Sequence, residues 1–89
     1  MGGENHYVKF ADIPTKSIIC DVRYDTAADV DAPNADSKLH WWNVIQICTA
    51  ENRILQIAVD AFFDRNVVFF RVKHDNNWYG WYKLVGVQV

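Results

Sequence analysis

The sequence has no block of lysine or arginine, and its formal net charge is -2 over 89 residues. It offers no general attraction for a phosphate backbone or an anionic lipid surface, so a nucleic-acid partner is not expected. Cysteine is scarce. Cys20 and Cys48 stand far apart within apolar runs, which excludes a disulfide framework and a CxxC metal site and leaves two buried free thiols. No apolar stretch is long enough to span a bilayer, so membrane insertion is not expected. The N-terminus lacks an apolar h-region, and Met1-Gly2-Gly3-Glu4-Asn5-His6 has no Ser or Thr where a myristoylation signal needs one. Catalytic motifs are missing as well: there is no GxSxG, no phosphate-binding Gly-rich loop and no Cys/His pair in a recognisable setting. A carboxylate pair could be drawn from almost any Asp and Glu here and discriminates nothing. With so few residues to build a deep cleft, the chain reads as a binding or structural module rather than an enzyme, with no cofactor.

What is abundant is apolar and aromatic. The composition is 51% hydrophobic, 22% charged and 15% aromatic, with four Trp, so many rings need either a core or a ligand. A chain of this length supports one domain spanning 1–89. Ordering it costs on the order of 90 to 180 kcal/mol of backbone entropy, so its apolar groups must be buried efficiently or shared with a partner. Self-association is one way of sharing them. The Met-Gly-Gly start has the look of an added leader, and the domain is expected to come from a longer protein.

Period-2 alternation dominates. Ser17 to Tyr24 places Ile18, Cys20, Val22 and Tyr24 opposite Asp21 and Arg23. His40 to Thr49 is apolar on both sides, with Trp41, Ile45 and Ile47 on one face and Trp42, Val44 and Cys48 on the other. Leu55, Ile57, Val59 and Ala61 alternate with Gln56, Ala58 and Asp60, and Val67 to Lys73 continues the pattern. A final strand is expected from Trp78 to Val85. Short turns at 49–52, 64–66 and 74–77 join the last four strands, so the expectation is an all-β fold: an antiparallel meander of about five strands. A long Asp- and Ala-rich loop, 25–38, follows the first strand. Before Ser17 a helix could make little more than one turn before Pro14, so the segment reads as an irregular lead-in in which small α/β elements are possible.

Two features could carry chemistry. The loop holds Asp25, Asp29, Asp31, Asn34 and Asp36, oxygen donors suited to calcium, but it lacks the spacing and tight-turn Gly of an EF-hand, and short acids also simply solvate a loop. His6, His40 and His74 have no companion at metal-binding spacing, so no metal is expected. The cluster Trp78, Tyr79, Trp81 and Tyr82 has more content, because rings on alternate strand positions form a flat surface that stacks on sugars or packs on protein. At least one alternating set belongs to the core, and Trp78, Tyr82 and Leu84 are assigned there. Tyr79 and Trp81 are then the outward pair, with Asn76 and Asn77 offering amides at the turn tip to hold hydroxyl groups.

Phe69-Phe70-Arg71-Val72-Lys73-His74-Asp75-Asn76-Asn77-Trp78-Tyr79-Gly80-Trp81-Tyr82-Lys83-Leu84 resembles the closing signature of the pyocin-knob family of phage tail fibres, receptor-binding proteins and phage-tail-like bacteriocins. Asp12-Ile13-Pro14-Thr15, Asp31-Ala32-Pro33, Trp42-Asn43-Val44 and Gln56-Ile57-Ala58 are similar to its earlier motifs in the same order. Lys16-Ser17 replaces the Gly that often precedes its first strand. The resemblance implies a homotrimeric fibre module in a virion or tailocin particle, made in the bacterial cytoplasm and contributing to attachment to a bacterial surface polysaccharide or wall polymer. Arg71, Trp78, Trp81, Trp42 and Gln56 are its structural signature, and Tyr79, Asn76, Asn77 and Trp81 are the candidate receptor contacts. The alternatives are a purely structural, trimerising module and an accessory domain of a polysaccharide depolymerase. Arg71, on an otherwise apolar strand, is expected to be structural and bound to the Asp-rich loop or the Trp78 turn.

Overall fold

The computed structural model describes residues 5–24, 31–33 and 40–89. Among the described residues, alternating apolar residues make one sheet of seven strands: β1 (His6–Tyr7), β2 (Ile18–Tyr24), β3 (His40–Ala50), β4 (Arg53–Asp60), β5 (Val67–His74), β6 (Asn77–Trp78) and β7 (Tyr82–Val85). The fold is all-β, and β2 to β5 form the expected antiparallel meander in sequential order. The lead-in before Ser17 carries small elements of the kind expected there. It contributes β1, which pairs in parallel with β2, and a single 3-10 turn at Phe10–Asp12. Most of the Asp-rich loop, including Asp25, Asp29, Asn34 and Asp36, lies outside the described residues.

Turn chemistry agrees with sequence. Asp75 and Asn76 take positive φ, 52° and 67°, between the paired residues His74 and Asn77, which is the two-residue hairpin geometry that Asn and Asp tolerate. Asp64 does the same at the β4–β5 connection with φ 50°.

The C-terminal segment corrects the expectation of one continuous strand. Trp78 lies opposite Lys73 and Tyr82 opposite Phe70, so four steps along one strand match three along β5. One extra residue has entered the ladder at 79–81. A one-residue slip sends every later side chain to the other face. Trp78 keeps the core side, but Tyr82 and Leu84, assigned to the core by uninterrupted alternation, are exposed. Trp81 turns inward instead and packs edge-on against Phe10 at 4.9 Å.

The two sheet faces have different fates. On one, Cys20, Val22, Trp42, Val44, Ala58 and Phe69 are buried. Phe10 and Ile13 from the lead-in close over this face, with Phe10 5.5 Å from the Trp42 ring. The other face is also apolar along β3 and β4, as the sequence indicates, but Ile19, Ile45 and Ile47 there are exposed.

Candidate functional site

The sequence places a polar residue at three neighbouring positions of the core face, and the register puts them side by side: Gln46 opposite Gln56, and Gln56 opposite Arg71. All three are buried. A buried amide or guanidinium must find partners or cost several kcal/mol, and here the partners are one another and the lead-in backbone. Arg71 Nε donates to Gln56 Oε1 at 2.8 Å, and Gln56 Nε2 donates to Gln46 Oε1 at 2.8 Å and to the Phe10 carbonyl at 3.2 Å. Gln46 Nε2 donates to the carbonyls of Pro14 and Lys16, each at 2.8 Å. The ladder thus captures three carbonyls of the lead-in, those of Phe10 and Pro14 also accepting the N–H groups of Ile13 and Lys16 in local turns.

Asp31 closes the far end. Its carboxylate accepts the backbone N–H groups of Phe10 at 3.0 Å and Ala11 at 2.6 Å, and its carbonyl accepts the Trp81 indole N–H at 2.8 Å. The guanidinium Nη2 of Arg71 lies 3.6 Å from Asp31 Oδ2, an ion pair longer than a hydrogen bond. Three rings surround the same guanidinium, with centroids at 4.0 Å for Trp78, 4.9 Å for Trp81 and 5.9 Å for Phe10. Burial pushes the Arg71 guanidinium below its ordinary pKa range, and Asp31 opposes that shift. Arg71 therefore touches both the Asp-rich loop and the Trp78 turn. As for calcium, both Asp31 oxygens already serve the lead-in, and among the described residues no group of three His, Cys, Asp or Glu could hold a metal.

The residues proposed to meet a receptor separate into two places. Asn76 and Asn77 are exposed at the β5–β6 tip, with Tyr79, 52% exposed, just after it. The Tyr79 N–H donates to the Val72 carbonyl at 2.9 Å, which ties its backbone to the rigid β5 strand. Trp81 does not join them. Held by Asp31 and Phe10, it lines a cleft of about 400 Å³ at the opposite end of β5, with Pro33, Asp64, Phe69 and Lys83. Its use as an outward stacking platform is corrected by the register slip.

Sequence reasoning did not single out Gln46 or the pair His40 and Asp60. His40 Nδ1 contacts Asp60 Oδ2 in the interior, the His40 ring stacks on Trp42 at 5.0 Å, and Asp60 Oδ1 accepts the N–H groups of Phe62 and Phe63. The signal was available: Gln46, His40 and Asp60 share the period-2 phase of Trp42, Val44 and Ala58, so each was due to be buried and to need a partner. Among the described residues no helix is long and apolar enough to cross a membrane. No family model matches the chain, and neither does any curated protein or solved structure.

Proposed function

We propose that the chain is a host-attachment module of a bacteriophage tail fibre or phage-tail-like particle, acting by binding rather than catalysis and assembled as a homotrimer. Its ligand is a bacterial surface polysaccharide or wall polymer, met by Tyr79, Asn76 and Asn77. The observation that carries this reading is the composition of the β5–β6 tip: an exposed aromatic ring beside exposed amides, on a hairpin whose base is clamped by the Arg71 cage. A ring face stacks on the apolar face of a sugar, amides hold its hydroxyl groups, and a rigid base lowers the ordering cost of binding. The order of the motifs ending in Arg71, Trp78 and Trp81 supports the fibre assignment.

The test is binding of the purified domain to a glycan array and to isolated cell walls, with Tyr79→Ala and Asn76→Gly beside wild type. Asn76→Gly removes the amide while keeping the left-handed turn. Loss of binding in both variants supports the tip as the receptor site. Wild-type protein that binds no glycan or wall refutes it and favours the second reading, a purely structural trimerising module. That reading has its own observation: Arg71, Trp78, Trp81, Trp42 and Gln56 all serve the internal fold, while a broad sheet face stands open.

A further inference from the structure

On the sheet face away from the lead-in, the register aligns Ile19, Ile45, Ile57, Phe70 and Tyr82 in one unbroken row across β2, β3, β4, β5 and β7. Tyr82 stacks on Phe70 with centroids 5.5 Å apart. A second row, Ile47, Leu55 and Val72, runs beside it. Ile19 is 73% exposed and Tyr82 62% exposed, so this is open surface rather than a second core. The described loop residues cannot close it, because Asp31 and Pro33 lie on the opposite face against Phe10 and Trp81.

We infer that this row is the surface by which copies of this chain pack on one another, a second copy laying the same row against the first. Size is the first reason. Scaled by ordinary residue areas, the exposed members of the two rows, Ile19, Ile45, Ile47, Val72 and Tyr82, with Leu84 beside them, present roughly 600 Å², the upper end of the apolar patch usual on a monomer and the lower end of one partner's share of a standard stable interface. Charge is the second. The charged residues of this face border the two rows and do not interrupt them: Asp21, which contacts His6, lies beside Ile19, Arg23 lies beyond it, and Arg53 lies beside Leu55, so the rows meet without burying like charges and these residues supply a polar rim. Shape is the third: β-branched side chains in register on a sheet interdigitate with a second sheet about 10 Å away, as in a sandwich core. The slip at 79–81 matters here too, since it delivers Tyr82 and Leu84 to this face.

The inference rests on the self-association in the proposed function but not on its trimer, since identical rows laid face to face close about a two-fold axis, and it is independent of any receptor. Its test is the mass of the full chain by light scattering across a concentration series. Wild type is compared with Ile45→Lys in the middle of the row and Ile19→Lys at its most exposed position, where a lysine costs the single chain little. Val8→Lys, an exposed apolar residue outside the row, serves as control, and far-UV circular dichroism verifies the fold of each variant. The expected result is a whole multiple of the 10.3 kDa chain mass for wild type and Val8→Lys, falling to a single chain in both row variants. A wild-type monomer at every concentration, or an oligomer that survives both folded row variants, overturns the inference. A dimer dispersed by the lysines supports the surface while refuting the trimer, and failure to bind glycans leaves the surface standing.

Discussion

Replacing Arg71 with alanine probes the clamp where its parts converge. The substitution leaves Gln56 Oε1 buried without its donor, which costs about 1–3 kcal/mol. It also removes a desolvated guanidinium from between Trp78 and Trp81, and such contacts are worth about 1–2 kcal/mol where water is excluded. Asp31 keeps its two backbone donors and is partly exposed, so its loss of a counter-charge is screened and adds little. The combined loss is about 3 kcal/mol, and at about 4–8 °C per kcal/mol for a domain this small the melting temperature falls by about 12–24 °C. Arg71→Lys retains the charge over the rings but not the planar fork that reaches Gln56, and falls by about half as much. Thermal unfolding followed by circular dichroism at one fixed protomer concentration reads both variants, because assembly makes the transition concentration-dependent. An Arg71→Ala protein melting within about 2 °C of wild type refutes the clamp, since that corresponds to less than about half a kcal/mol.

Gln46→Leu removes the side-chain donor of the Lys16 and Pro14 carbonyls, leaving Pro14 only the Lys16 N–H, so it destabilises the domain by about 1–3 kcal/mol and speeds amide exchange in 12–17 more than in β4; equal exchange in both segments contradicts the ladder. Burial, with Asp21 adding to it, pushes the Cys20 thiol up to about 11, so iodoacetamide at pH 8 labels it far more slowly than the same thiol in denatured protein. The folded state holds that proton more tightly than the unfolded state, whose thiol stays at its ordinary 9.0; stability is therefore full below pH 9.0 and declines as pH rises towards about 11, which a Cys20→Ala comparison by denaturant titration isolates. Asn76→Ala places a Cβ-bearing residue without a stabilising side chain at φ 67° and lowers stability by about 1 kcal/mol, whereas Asn76→Gly changes it by a few tenths at most; equal melting temperatures for the two variants argue against the turn assignment.

Alternation alone located β2 to β5 to within two residues, because each strand carries its own unbroken period, and β4 and β5 are followed by turn residues that take positive φ. It failed at Trp78–Val85 for a reason periodicity does not contain. The strand is continuous in composition but pairs with β5 in two registers, and the extra residue at 79–81 exchanges the faces of Trp81 and Tyr82. The role of Arg71 was legible since a cation on a strand facing Phe69 and the core needs acceptors and rings. Gln46 went unnoticed because a single Gln between isoleucines looks like an exposed position until the strand's phase is fixed by Trp42 and Val44. The open face was legible as apolarity on both sides of β3. Which side the chain closes for itself depends on the lead-in, whose irregular backbone has no period and is held by carbonyls that every residue carries.

The central claim is that a polar ladder, Gln46–Gln56–Arg71 with Asp31, locks the lead-in onto the sheet as part of one cooperative unit. Hydrogen–deuterium exchange of the Phe10 and Ala11 amides, both held by the Asp31 carboxylate, tests it most directly. Protection comparable to the central amides of β4, lost together with them as denaturant is raised, is the predicted result. Exchange of Phe10 and Ala11 as fast as an unstructured peptide, while β4 stays protected, would contradict it.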